Sequence, residues 1–163
     1  MKKVRLNQIL FFLIFTAIFA LSFAYFVQYF LGVLPCNLCL YERKSFIAIT
    51  AICLLVLVFF KEKGAKKLAI FLSMFFLLIN TATAIYHVGV EEKIFKLSEA
   101  CQSTIPQNLE SVEELKNLLA SVPLSRCDEP DFFILGFSLA RWNVLYCLGL
   151  FFMILILYRK ARK

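Results

Sequence analysis

The chain has 163 residues, 61% of them hydrophobic, with 19 phenylalanines and only 18% charged. A water-soluble domain of this size cannot bury so much apolar surface, and a disordered chain would not carry it, so the main solvent is lipid. The net charge of +7 would suit nucleic acid only if it formed one basic face. It does not. Lys2, Lys3 and Arg5 crowd the N-terminus, Lys61, Lys63, Lys66 and Lys67 sit in one short segment, and Arg159, Lys160, Arg162 and Lys163 close the chain. Acidic residues instead dominate 91–131. Short basic segments between apolar stretches mark cytoplasmic loops, because Lys and Arg resist translocation.

No charge occurs between Leu6 and Tyr41, and Gly32 with Pro35 should end a first helix in the low thirties. The apolar runs predict spans over about 9–33, 40–60, 68–88 and 137–158. Stretches of this length, at 1.5 Å per residue, cross a hydrocarbon core of roughly 30 Å. Arg141 lies near one end of the fourth span, where its head group can reach the interface. The pattern predicts an all-α integral membrane four-helix bundle, one domain over 1–163, with both termini inside. The turn at 32–39 and a loop over 89–136 then face outside. A cleaved signal peptide, with Ser22 and Ala24 at the small-residue positions, is the alternative for the N-terminus. The apolar run continues past that site, and cleavage would break the charge alternation.

The outer loop has its own pattern. Ser111 and Glu114 have capping-box spacing, and Val112, Leu115, Leu119 and Val122 recur every three or four residues before Pro123. That describes a short amphipathic helix over 109–120, lying on the membrane surface or on the bundle.

Topology sorts the six cysteines. Cys53 and Cys147 fall deep in predicted spans, where a thiol serves as a small apolar packing residue. Cys36, Cys39, Cys101 and Cys127 all fall outside, where thiols in an oxidising compartment pair. Cys36-Asn37-Leu38-Cys39 opens the second span, with both sulfurs on one helix face and the positive dipole end beside them. Arg43, four residues after Cys39, stacks on that face, where it can hold a Cys39 thiolate and contact an electron acceptor. The same motif also suits a static disulfide or half of a zinc site. Cys101 and Cys127 suit either a structural clamp or a partner in thiol–disulfide exchange. A zinc site of all four outer cysteines would need four thiolates in an oxidising compartment, and no metal is expected. His87, the single histidine, sits at the outer end of the third span. It is either an interfacial residue with one polar partner or a hydrogen bond to a redox ligand.

From Pro35 through Cys36 and Cys39 to Arg43, the chain resembles the DsbB family of disulfide-bond formation proteins. Tyr86-His87-Val88-Gly89-Val90-Glu91, Cys127-Asp128-Glu129 and the run Leu135 to Asn143 resemble further segments of that family. The resemblance implies a quinone-dependent thiol oxidase of the bacterial inner membrane. Such an enzyme reoxidises a DsbA-like periplasmic thioredoxin-fold partner and hands the electrons to ubiquinone or menaquinone of the membrane pool. By similarity, Cys101 forms the mixed disulfide with the partner, Cys127 is its mate, and Cys36–Cys39 reoxidises that pair. Cys39 then faces the quinone, with Arg43 contacting it and His87 near the same pocket. A vitamin-K-epoxide-reductase-like enzyme has related chemistry but carries its motif near a later helix. A non-enzymatic membrane scaffold with static disulfides is the competitor from another class.

Overall fold

The computed structural model describes residues 5–96, 101, 126–129 and 132–162. The amphipathic helix expected over 109–120 lies outside the described residues. Helix α1 runs Leu6–Phe30, α2 Asn37–Phe59, α3 Lys63–Glu91 and α4 Leu139–Arg162, and a two-stranded hairpin, β1 Phe133–Ile134 and β2 Phe137–Ser138, leads into α4. The four helices pack as a bundle.

Local chemistry sets the helix ends. The Arg5 backbone N–H donates to Gln8 Oε1 at 2.8 Å and starts α1 three residues before the expected 9. Gly32, at φ +70°, closes it, because a glycine tolerates the left-handed turn that a following Pro35 then keeps from becoming helix. Helix α3 runs past the expected 88 to Glu91. There the Gly89 carbonyl accepts the N–H groups of Ile94 at 2.8 Å and Phe95 at 3.0 Å. A side chain at position 89 would collide with the Phe95 ring, which stacks on Tyr86 at 5.5 Å. The fourth helix starts at 139 rather than 137, because Phe137 and Ser138 pair antiparallel with Ile134 and Phe133. The hairpin turn, Leu135 and Gly136, holds positive φ at both positions, the backbone twist that tight hairpins demand. Trp142 Nε1 donates to the Ile134 carbonyl at 3.0 Å and fastens the hairpin to α4.

One apolar core joins all four helices, built from Ile9, Leu10 and Leu13 of α1, Ile49 and Cys53 of α2, Ile70 and Leu77 of α3, and Cys147 and Ile154 of α4. Outside it, Phe11, Phe15, Phe19, Phe23 and Phe26 form an exposed stripe along α1. In water such a stripe would drive aggregation; in lipid it is the solvated face. Helices α1, α3 and α4 are each long and apolar enough to cross a membrane. Helix α2 has the length but carries Glu42, Arg43 and Lys44 near its outer end. The bundle absorbs two of these charges internally. Glu42 is buried, and Arg43 is bonded to α1.

Candidate redox site

The start of α2 is built around sulfur. Cys36 is its N-cap, and the sulfur accepts the Cys39 backbone N–H at 3.4 Å. An N-cap normally uses an oxygen for this purpose; here a thiol terminates the helix and lies in the field of its unpaired N–H groups. One turn later Cys39 brings its own sulfur to 3.2 Å from that of Cys36. Cys36 is buried and Cys39 half-buried. Pro35 precedes the cap and keeps the incoming chain extended.

The other two outer cysteines come to the same place. Cys36, Leu38, Val90, Cys101 and Cys127 form a second buried cluster, with Cys39 and Tyr86 against it. Cys127 is hydrogen-bonded to the sulfurs of both Cys36 and Cys101 and to the backbone of Leu38. The hydrogen bond to Cys36, followed by burial, pushes the Cys127 thiol far above the ordinary thiol range. Its neighbours on the chain form an exposed ionic knot. Arg126 donates to both Asp128 carboxylate oxygens, at 3.0 and 2.8 Å, and holds that carboxyl below its usual range.

His87 lies directly on the dithiol. Its Nε2 is 3.4 Å from Cys36 Sγ, and its Nδ1 is 3.0 Å from Glu42 Oε1. A carboxylate only accepts, so this contact places a proton on Nδ1 and turns Nε2 toward the sulfur, where it can take up or return the thiol proton. Glu42 is held in turn by Asn143 Nδ2, which donates to its Oε2 at 2.8 Å and to Asn80 Oδ1 at 3.2 Å. On the other side, Glu91 Oε1 lies 3.8 Å from His87 Nε2, and Glu91 Oε2 accepts the Ser138 hydroxyl at 2.5 Å. The thiol is therefore the outer end of a buried polar chain that crosses from α2 through α3 to α4.

Arg43 is placed differently from the sequence expectation. Its guanidinium donates to Gln28 Oε1 at 2.5 Å and the Ala24 carbonyl at 3.1 Å, and it lies over the Tyr25 ring at 5.0 Å. The arginine ties α2 to α1 beside the dithiol, and its bonds among the described residues run to α1 rather than to sulfur. Arg141 pairs with Glu92 and joins the outer ends of α3 and α4.

Sequence reasoning missed Glu42, Asn143, Asn80, Glu91 and Ser138. A signal existed for the first three. A carboxylate and two amides inside otherwise apolar spans must face a partner, because lipid offers none. Which partner each one meets depends on how α2, α3 and α4 are rotated, and periodicity alone does not give that. Cys53 and Cys147 behave as packing residues. Both are fully buried in the apolar core, with Cys53 near Ser73 Oγ and Cys147 near Asn143 Oδ1, each at 3.4 Å.

A small pocket of about 50 Å³ opens over the dithiol. Its walls include Val33, Leu34, Leu139 and Ala140 with Cys36, Cys39, His87 and Cys127.

The chain matches the model of the DsbB disulfide bond formation proteins over residues 6–157. The chain belongs to the DsbB family. Among its relatives, an uncharacterised protein of Rickettsia prowazekii (strain Madrid E) is 33% identical, over 99% of this chain and 94% of its own length. Disulfide bond formation protein B 2 of Pseudomonas fluorescens (strain Pf0-1) is 26% identical, over 96% of this chain and 86% of its own. Disulfide bond formation protein B of Stutzerimonas stutzeri (strain A1501) is 22% identical, over 80% of each. Membership makes disulfide-bond formation the chemistry of this DsbB-family chain, and its three candidate spans make it a multi-pass membrane protein.

Proposed function

We propose that the protein oxidises a DsbA-like periplasmic thioredoxin-fold partner and passes the electron pair to a membrane quinone, ubiquinone or menaquinone. One observation carries this reading: Cys36 touches both Cys39 and Cys127, and Cys127 touches Cys101. The four sulfurs form a continuous path for thiol–disulfide exchange, which needs nothing more than contact and a good leaving thiolate. In the oxidised enzyme a partner thiolate opens a Cys101–Cys127 disulfide at Cys101. The Cys127 thiolate released in that step attacks Cys36 and breaks the Cys36–Cys39 disulfide, and Cys39 departs as a thiolate. The second partner thiol then attacks the partner–Cys101 bond and frees Cys101. Cys101 attacks the Cys36–Cys127 bond, restoring Cys101–Cys127 and leaving Cys36 and Cys39 reduced.

The geometry assigns roles within that cycle. The first turn of α2 holds the Cys39 sulfur 3.2 Å from that of Cys36, in position to leave and to meet an acceptor. His87, oriented by Glu42, exchanges a proton with Cys36. A quinone, when bound, supplies the two-electron acceptor. The residues present suit such a group. Cys39 is the less buried thiol of its pair, and Val33, Leu34, Phe132, Leu139 and Ala140 form the apolar part of a pocket that Glu91, Arg126 and Glu129 also border. Arg43 fixes α1 to α2 one turn beyond Cys39, and this reading gives it a contact with the quinone. The basic ends and the basic segment 61–67 support cytoplasmic termini in a bacterial inner membrane, with 89–136 on the periplasmic side.

The test uses purified protein, a reduced thioredoxin-fold partner and a soluble quinone analogue. Cys39→Ser should lower quinone reduction by roughly 10³-fold or more, because the electron pair loses its donor. Undiminished turnover would refute the mechanism. A Cys39→Ser/Cys101→Ser variant should form a Cys36–Cys127 disulfide on mild oxidation, seen by peptide mapping. Two static disulfides in the wild type, with no partner adduct in a Cys127→Ser variant, would favour a scaffold.

A further inference from the structure

Cys36 Sγ, Cys39 Sγ and one ring nitrogen of His87 lie within 4.8 Å of one another. The reading of the dithiol as redox-active explains two thiols and a proton acceptor. The same geometry also presents the imidazole as a metal ligand is, with Nε2 turned to Cys36 Sγ and Nδ1 bonded to buried Glu42.

We infer that the reduced dithiol, together with His87, is a binding site for a zinc-class divalent cation, and that oxidation of the dithiol expels the ion. The donor set is two thiolates and one imidazole, the soft and borderline ligands that zinc-class ions select. A tetrahedral ion with bonds of about 2.3 Å to sulfur and about 2.1 Å to nitrogen holds its donors about 3.6–3.8 Å apart. The sulfurs are 3.2 Å apart, and Cys36 Sγ is 3.4 Å from Nε2. These two separations need to open by only a few tenths of an ångström, and the third, Cys39 Sγ to the imidazole, is already within 4.8 Å, so side-chain rotation can seat the ion. The supporting shell is already built. Glu42 fixes the histidine tautomer, and Asn143 fixes Glu42, the carboxylate–histidine–metal arrangement that holds ligands in position. The pocket of about 50 Å³ over the dithiol gives the ion an entry path and an open fourth position, with room for one bound water.

Binding and release balance simply. On binding, the two thiols lose their protons to solvent and two sulfur–metal bonds form. On oxidation, an added disulfide takes the electron pair from the two sulfurs, gains two protons from solvent and leaves as two thiols. The new Cys36–Cys39 bond retains no thiolate to hold the cation. The inference rests on the redox reading only for the last step, since binding needs nothing but the reduced thiols.

The experiment is a Co²⁺ titration of full-length protein in detergent, reduced and freed of reductant under anaerobic conditions, followed by the visible bands of tetrahedral sulfur–nitrogen coordination. One equivalent should bind and be displaced by Zn²⁺. A Cys101→Ser/Cys127→Ser variant should still take up one equivalent, which separates this site from any made by the loop thiols. Glu42→Gln should weaken binding about 10- to 100-fold, and His87→Ala at least as much, with a change in the band pattern. Protein oxidised beforehand should bind none. Absence of binding by the reduced wild type, unchanged binding in His87→Ala, or equal binding by the oxidised form would each overturn the inference. No quinone or partner enters the assay, so a protein that binds Co²⁺ yet fails to turn over quinone would refute the oxidase reading alone.

Discussion

Two groups of cysteines in this molecule are buried to nearly the same degree. Cys53 and Cys147 are 0% exposed in the middle of the bundle, and Cys36, Cys101 and Cys127 are 5%, 3% and 1% exposed at its outer end. Burial therefore does not separate the packing thiols from those proposed to react. Their neighbours do. Cys53 and Cys147 sit among Ile49, Ile70, Leu77 and Ile154, each with one oxygen at 3.4 Å. Cys36 has a helix start, a second sulfur, a third from the loop, and an imidazole backed by a carboxylate. A thiol becomes useful when the groups around it can take its proton and its electrons.

Breaking the proton acceptor tests this contrast hardest. His87→Ala should slow the reaction of Cys36 with a small disulfide by roughly 10²-fold, the usual worth of a positioned base, while Cys147→Ala changes it less than about twofold. Stopped-flow kinetics on the two reduced variants would decide, and equal losses would dissolve the distinction. The next effect is on stability. Asn143→Leu removes a hydrogen bond from buried Glu42 and from Asn80, at a cost of about 3 kcal/mol. Ile154→Val in the apolar part of the same helix should cost about 1 kcal/mol. Thermal unfolding in detergent measures both, and a cost for Asn143→Leu no larger than that of Ile154→Val would show Glu42 to be satisfied some other way.

A smaller effect follows from pH. The Cys127 thiol is raised above its ordinary value of 9.0, first by its hydrogen bond to Cys36 and then by burial. A raised value means less thiolate at neutral pH, and thiolate is the reacting form. In the reduced protein, alkylation of Cys127 should therefore still be climbing about tenfold per pH unit near pH 9, where an ordinary cysteine begins to level. Cys36→Ala should move the profile toward the ordinary one; mass-spectrometric rates at several pH values check both. The smallest change belongs to Cys53→Ser. The new hydroxyl can keep the Ser73 contact, so stability should shift by no more than about 1 kcal/mol, with exchange kinetics as in the wild type.

The contrast also marks what was legible in the chain. Gly32, Pro35 and the basic segments gave the helix count and approximate helix ends, because each acts locally through backbone freedom or aversion to lipid. Helix α4 starts two residues later than the hydropathy pattern predicts, since the pairing of Phe133 with Ser138 is a contact between neighbouring strands that hydropathy does not register. Cys36 and Cys39 could be singled out by spacing. Arg43 shares their helix face by spacing, yet its guanidinium is drawn to Gln28 and Ala24 on another helix. A long, flexible side chain is placed by the donors and acceptors it finds, not by its own helix.

Composition and charge order by themselves determined a lipid-embedded helical bundle and placed four cysteines on one side of it, because the cost of putting charge or unpaired backbone into hydrocarbon is large and local in sequence. Tertiary structure alone decided that Cys127 meets Cys36, that His87 faces the same sulfur, and that Glu42 and Asn143 stand behind the imidazole. Those contacts join residues 45 to 101 positions apart, and they depend on the rotation of each helix about its axis, which only packing against the others fixes.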